Sequence, residues 1–103
     1  MEIPDKWIVI QIGEVNPLYK VLVAWYGGYL GEDRWKINSG ILNIADNDQY
    51  INFYGYSGSV YQCPKNGYGT TMLSQGILDR IMKGEIIIKV LPEDTNWLKL
   101  LQL

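Results

Sequence analysis

Short β-branched runs bounded by glycine, proline and Asx residues fill the first two thirds of the chain, and helical periodicity is confined to the last third. Residues 6–12 (Lys-Trp-Ile-Val-Ile-Gln-Ile) are too short and too β-branched for a helix, so they predict a strand with Ile8, Ile10 and Ile12 on one face. Gly13 to Pro17 supplies turn chemistry, and Pro17 is expected to push Asn16 toward extended backbone. Residues 18–26 form the second predicted strand, antiparallel to the first. Gly27, Gly28 and Gly31 end it and enclose Tyr29 and Leu30 in a loop.

Between Trp35 and Ala45 the alternation changes phase: Trp35 and Ile37 hold one parity, Leu42 and Ile44 the other. The slip falls at Asn38-Ser39-Gly40 and predicts a bulge or tight bend there. Asp46-Asn47-Asp48 is a turn cluster. Residues 49–54 alternate again, and a short strand over residues 60–63 is cut by Pro64. Over residues 70–83 Leu73, Ile77 and Ile81 recur at spacing four, flanked by Met72, Leu78 and Met82, with Thr70 or Thr71 to cap the start and Gly84 to stop the end. Residues 85–91 read as the clearest strand of all, and residues 93–103 as a short terminal helix presenting Trp97, Leu100 and Leu101. With no repeat and no linker, the 103 residues make a single globular domain, residues 1–103. The expected fold is α+β: a mainly antiparallel twisted sheet of about five to six strands, one amphipathic helix (about residues 70–83) packed on one face, and a short C-terminal helix.

Composition sharpens this picture at one place. The aromatic residues are eight Tyr, four Trp and one Phe, and most of them fall within residues 25–69. If Ile51 and Phe53 face the helix-covered core, alternation puts Tyr50, Asn52 and Tyr54 on the opposite face, with Tyr56 continuing the row. Tyrosine couples a flat apolar body to a hydroxyl and loses little entropy when fixed, which suits a contact surface. The same residues also pair across strands simply to stabilise sheets. The predicted binding residues are Trp25, Tyr29, Trp35, Tyr50, Tyr54 and Tyr56 for contact area, with Arg34 and Asn52 for polar orientation.

Charge and titratable groups narrow the chemistry. The formal net charge is −2, with no clustered cations, so nucleic acid is not an expected partner. No apolar run is long enough to span a membrane, and a soluble, cytoplasmic protein is the expectation. Histidine is absent, which removes the commonest general base and metal ligand, and the lone Cys63 has no histidine to activate it. Asp46-Asn47-Asp48 opens like a calcium loop, but Ile51 and Ser57 stand where that loop needs Gly and Glu. No metal site, cofactor or catalytic residue is predicted. The Glu32/Asp33 and Asp46/Asp48 pairs leave a carboxylate-dependent enzyme as a minor alternative, since both sit among turn-forming residues where solvated acids are usual. Gly67 to Thr71 has the makings of an anion site but is equally explained by helix capping. The expected function is a small non-catalytic binding domain that uses an aromatic face for protein–protein contact, including homodimerisation. The alternative is a small-molecule binder for a carbohydrate- or nucleotide-like ligand held by aromatic stacking.

Overall fold

A computed structural model describes residues 1–102. Strands β1 (Lys6–Ile12) and β2 (Leu18–Trp25) form the predicted antiparallel pair, in register from Lys6↔Ala24 to Ile12↔Leu18. They are the inner strands of a four-stranded sheet, flanked by β3 (Arg34–Ile37) on one edge and β7 (Ile88–Val90) on the other. A second, three-stranded antiparallel sheet is built from β4 (Ile41–Asn47), β5 (Tyr50–Gly55) and β6 (Val60–Pro64) in that order. The one α-helix among the described residues, α1 (Met72–Met82), covers the outer side of the four-stranded sheet. The α+β fold is as expected; seven strands divided between two sheets replace the expected single sheet.

The division follows from the sequence of the inner strands. Trp7-Ile8-Val9-Ile10 and Val21-Leu22-Val23-Ala24 are unbroken apolar runs and are buried throughout, so this sheet is covered on both faces. On one face Trp7, Val9, Val21 and Val23 pack against Ile51, Phe53, Tyr61 and Cys63 of the second sheet. On the other, Ile8, Ile10 and Leu22 pack against Leu78 of α1. Ile51 and Phe53 therefore face the other sheet and not the helix expected to cover them. Tyr50, Asn52 and Tyr54 still lie opposite the core, now on the outer face of the three-stranded sheet.

The phase slip at Asn38 to Gly40 is the point where the chain leaves one sheet for the other. The Asn38 N–H donates to the Val21 carbonyl (3.2 Å) and the Asn38 Oδ1 accepts the Val21 N–H (2.9 Å), so the side chain stands in for the next rung of the ladder. Gly40 turns the chain away at φ 138°, and a Cβ there would sit 2.9 Å from the Tyr56 ring. Residues 1–5 fasten the two layers together. The Glu2 N–H donates to the Val60 carbonyl and the Gln62 N–H to the Glu2 carbonyl, while the Trp25 indole N–H donates to the Ile3 carbonyl (2.9 Å).

Several local expectations are corrected. The ordered strand near residues 85–91 is only Ile88–Val90, because an edge strand needs one covered face; Ile86 and Ile87 are exposed. The buried stripe of α1 centres on Ser74 and Leu78, so Leu73 and Met72 turn outward. The helix start is a capping box, with the Thr71 side chain accepting the Ser74 N–H and the Ser74 hydroxyl accepting the Thr71 N–H. The C-terminal helix reduces to a 3₁₀ turn, Trp97–Lys99, of which Trp97 is buried; Leu103, the last residue of that expectation, lies outside the described residues. Asn16 adopts φ 49° and not extended backbone, since asparagine tolerates the left-handed region in a turn better than other non-glycine residues.

Candidate functional site

Four aromatic rings cluster at one end of the core. Trp7 packs against Tyr68 (centroids 4.7 Å apart, edge-on), Phe53 (5.4 Å) and Trp97 (5.5 Å), and its indole N–H donates to the Pro64 carbonyl (2.6 Å). The Tyr68 hydroxyl accepts the Val9 N–H (3.3 Å) and donates to the Leu91 carbonyl, filling the gap where β7 ends beside β1. Burial pushes the Tyr68 phenol above its usual range, the Val9 N–H opposing this in part and the nearby Glu93 carboxylate adding to it. Trp7 and Trp97 stand ninety residues apart, and no local pattern announces that they meet.

The predicted binding residues are distributed over five places and not one surface. Trp25 stacks under the Arg34 guanidinium, which lies 4.6 Å from its ring centroid, so these two side chains serve each other at the edge between the sheets. Trp35 pairs with Ala24, which puts it on the helix-bearing side of the sheet, half-exposed. Tyr50, Asn52 and Tyr54 share the outer face of the second sheet. Tyr56, exposed beyond β5, borders a cleft of about 330 Å³ whose apolar walls include Leu18, Ile41, Leu100 and Leu101.

Tyr29 occupies the most conspicuous position. It is 99% exposed and its neighbour Leu30 is 93% exposed, at the tip of the loop joining β2 to β3. The loop's neck is closed by backbone contact. A Cβ on Gly27 would lie 2.3 Å from the Glu32 carbonyl carbon, and one on Gly31 would lie 2.4 Å from the Gly27 oxygen. Two carboxylates lock it: Asp33 Oδ1 accepts the Gly27 N–H and Asp5 Oδ2 accepts the Tyr26 N–H, both at 2.9 Å. The glycines thus allow an approach that no side chain permits, and the projecting Tyr29 and Leu30 have no apolar cover from their own chain.

The remaining chemistry is subdued. A cleft of about 350 Å³ opens between the 3₁₀ turn at Trp97 and the β4–β5 end, with Trp7, Ile51 and Trp97 behind it and Asp46, Lys65 and Glu93 around it. Lys65 and Asp46 are ion-paired across it at 2.7 Å. Of the two carboxylate pairs, Asp33 is held by the loop neck and Asp46 by Lys65. Cys63 is fully buried, and burial raises its thiol far above the range in which a thiolate forms. Among the described residues no group of three or more acidic, histidine or cysteine side chains converges as a metal cage, and no helix is long and apolar enough to cross a membrane. No protein-family model, curated protein or solved structure matches the chain.

Proposed function

We propose that this protein is a non-catalytic interaction domain of the cytoplasm, and that the Tyr29–Leu30 tip is its principal protein contact, with a second copy of the chain as partner. The observation that carries the reading is the tip itself: two large apolar side chains almost fully exposed on a loop whose neck is locked by Gly27, Gly31 and two carboxylates. A locked tip presents its anchors with little entropy left to lose, and tyrosine is among the side chains that most often dominate binding energy. The apolar cleft beside Tyr56 offers a concave counterpart on the same chain, as knob-and-cleft contact between copies requires. The accessible surface of 6487 Å² leaves room for such contact; an ordinary interface takes about 800 Å² from each partner. The free buried thiol of Cys63 accords with a reducing compartment.

Light scattering across a hundredfold concentration range tests this reading. The expected result is a mass that rises toward the dimer in the wild type and stays monomeric in Tyr29→Ser/Leu30→Ser. A wild type that remains monomeric throughout, or a variant that associates equally well, overturns it.

A further inference from the structure

The outer face of the three-stranded sheet has a different chemistry from the tip. Alternation places Tyr50, Asn52 and Tyr54 of β5 there, with Gln62 directly beside Asn52 on β6 and Ala45 beside it on β4. Every position that alternation assigns to this face is uncharged, including Asn43 and Asn47 on β4 and Val60 and Pro64 on β6. Asn52 lies in the middle of the central strand, 6% exposed, between two half-buried tyrosines. Its Oδ1 is buried and has no hydrogen-bond partner. A buried amide oxygen left unpaired at the centre of a sheet face is unfavourable, and a donor arriving on that face relieves it.

We propose that this face is a binding site for a neutral polyhydroxylated ligand, an oligosaccharide, with Tyr50 and Tyr54 supplying ring faces and Asn52 and Gln62 supplying polar contacts. Charge borders the face only at its Tyr50–Pro64 end, where Asp48 and the ion-paired Lys65 stand, which disfavours phosphorylated and nucleotide ligands that need free cations or a helix terminus. A protein partner would need apolar area to drive association, and beyond the two tyrosines the face offers only Ala45, Val60 and Pro64. Sugar hydroxyls both donate and accept, as side-chain amides do, and sugar C–H edges pack on aromatic rings. Tyr50 and Tyr54 stand four residues apart, a span of about 13 Å along an extended strand, which suits a chain of sugars better than a single ring. Binding requires the tyrosine rings to swing aside far enough for a hydroxyl to reach the Asn52 Oδ1, a rotamer change open to half-buried side chains.

The test is a titration of the isotope-labelled full chain with soluble gluco-, manno- and N-acetylglucosamine oligosaccharides, read by amide chemical shifts. The expected result is saturable shifts in the Asn52 and Gln62 side-chain amides and in residues 50–54 and 60–64. Tyr50→Ala and Tyr54→Ala should each weaken binding by about tenfold or more, and Asn52→Ala by a smaller factor. Because a tyrosine variant can lose folding, Asn52→Ala, which removes no buried ring, provides the second arm. Tyr29→Ser/Leu30→Ser should bind the sugar normally, so failure of the dimer reading and failure of this one are separable. No shift with any of these sugars overturns the proposal. So do shifts confined to the Lys65 cleft, or shifts of the same signals that follow protein concentration alone.

Discussion

Removing a single oxygen from Tyr68 tests how the layers are joined. In Tyr68→Phe the ring keeps its packing between Trp7 (4.7 Å) and Trp97 (5.8 Å), while the Val9 N–H and the Leu91 carbonyl lose their shared partner. Each such bond contributes about 0.5–1.5 kcal/mol net, and a buried group left unpaired costs about 1–3 kcal/mol. The bond from Val9 is long at 3.3 Å and belongs at the low end. The expected loss is therefore about 1–3 kcal/mol, a fall in Tm of roughly 5–20 °C for a domain this size. Urea unfolding followed by tryptophan fluorescence reads the loss, and hydrogen exchange locates it. The Val9 amide should lose protection first, together with the β7 amides whose attachment to β1 the hydroxyl reinforces. A loss below about 0.5 kcal/mol, or one with unchanged exchange at these amides, would refute the role given to the hydroxyl. Alkaline pH acts on the same hydroxyl. Burial raises the folded-state pKa of Tyr68 above the unfolded value, which lies near 10. Its contribution to stability is therefore complete below about pH 10 and is lost as pH climbs through the folded pKa. Tyr68→Phe should remove part of that alkaline decline; Tyr61 and Cys63, whose pKa values are also raised by burial, keep the rest.

Three further outcomes follow from the same geometry. Trp97→Ala uncovers Trp7, Phe53 and Tyr68 together and should cost about 3–5 kcal/mol, read as a lowered urea midpoint; a loss under about 1 kcal/mol would mean the 3₁₀ turn does not close the core. Cys63 should react with a thiol reagent only as fast as the protein opens, because its sulfur is buried and its pKa is far above ambient pH; rapid stoichiometric labelling of the native protein contradicts this. Asn52→Ala should change stability by no more than about 1 kcal/mol, since it deletes an oxygen that has no partner; a larger loss would show that Asn52 is structural.

The inner strands explain which parts of the fold were legible. Strands β1, β2, β5 and β6 and helix α1 were all visible because each carries its period within a few residues. The second layer was visible too, in principle: Trp7 to Ile10 and Val21 to Ala24 are apolar at every position, the mark of a strand covered on both faces. The parity of Ile8, Ile10 and Ile12 alone describes a strand with one covered face, which predicts a single sheet. Residues 85–91 misled in the opposite direction, because three consecutive isoleucines look like an interior strand wherever they sit. Alternation correctly opposed Tyr50, Asn52 and Tyr54 to Ile51 and Phe53. It carried no information about whether Trp25, Trp35 or Tyr56 would join them, since that depends on which sheet each strand enters. The glycines around Tyr29 marked the loop, but the contact of Gly27 with Glu32 and Gly31 that locks it is a tertiary fact.

The central claim is that the Tyr29–Leu30 tip is covered by another copy of the chain, and methyl relaxation reports on that cover at the residue itself. A sample labelled at leucine methyl groups is measured with a soluble paramagnetic agent at low and at high protein concentration. Leu73, partly exposed on α1 and part of neither the tip nor the Tyr56 cleft, serves as the internal reference. The supporting result is a Leu30 relaxation enhancement that is maximal when dilute and falls as protein concentration rises, while Leu73 is unchanged. A Leu30 methyl as open to the agent at high concentration as at low contradicts the claim.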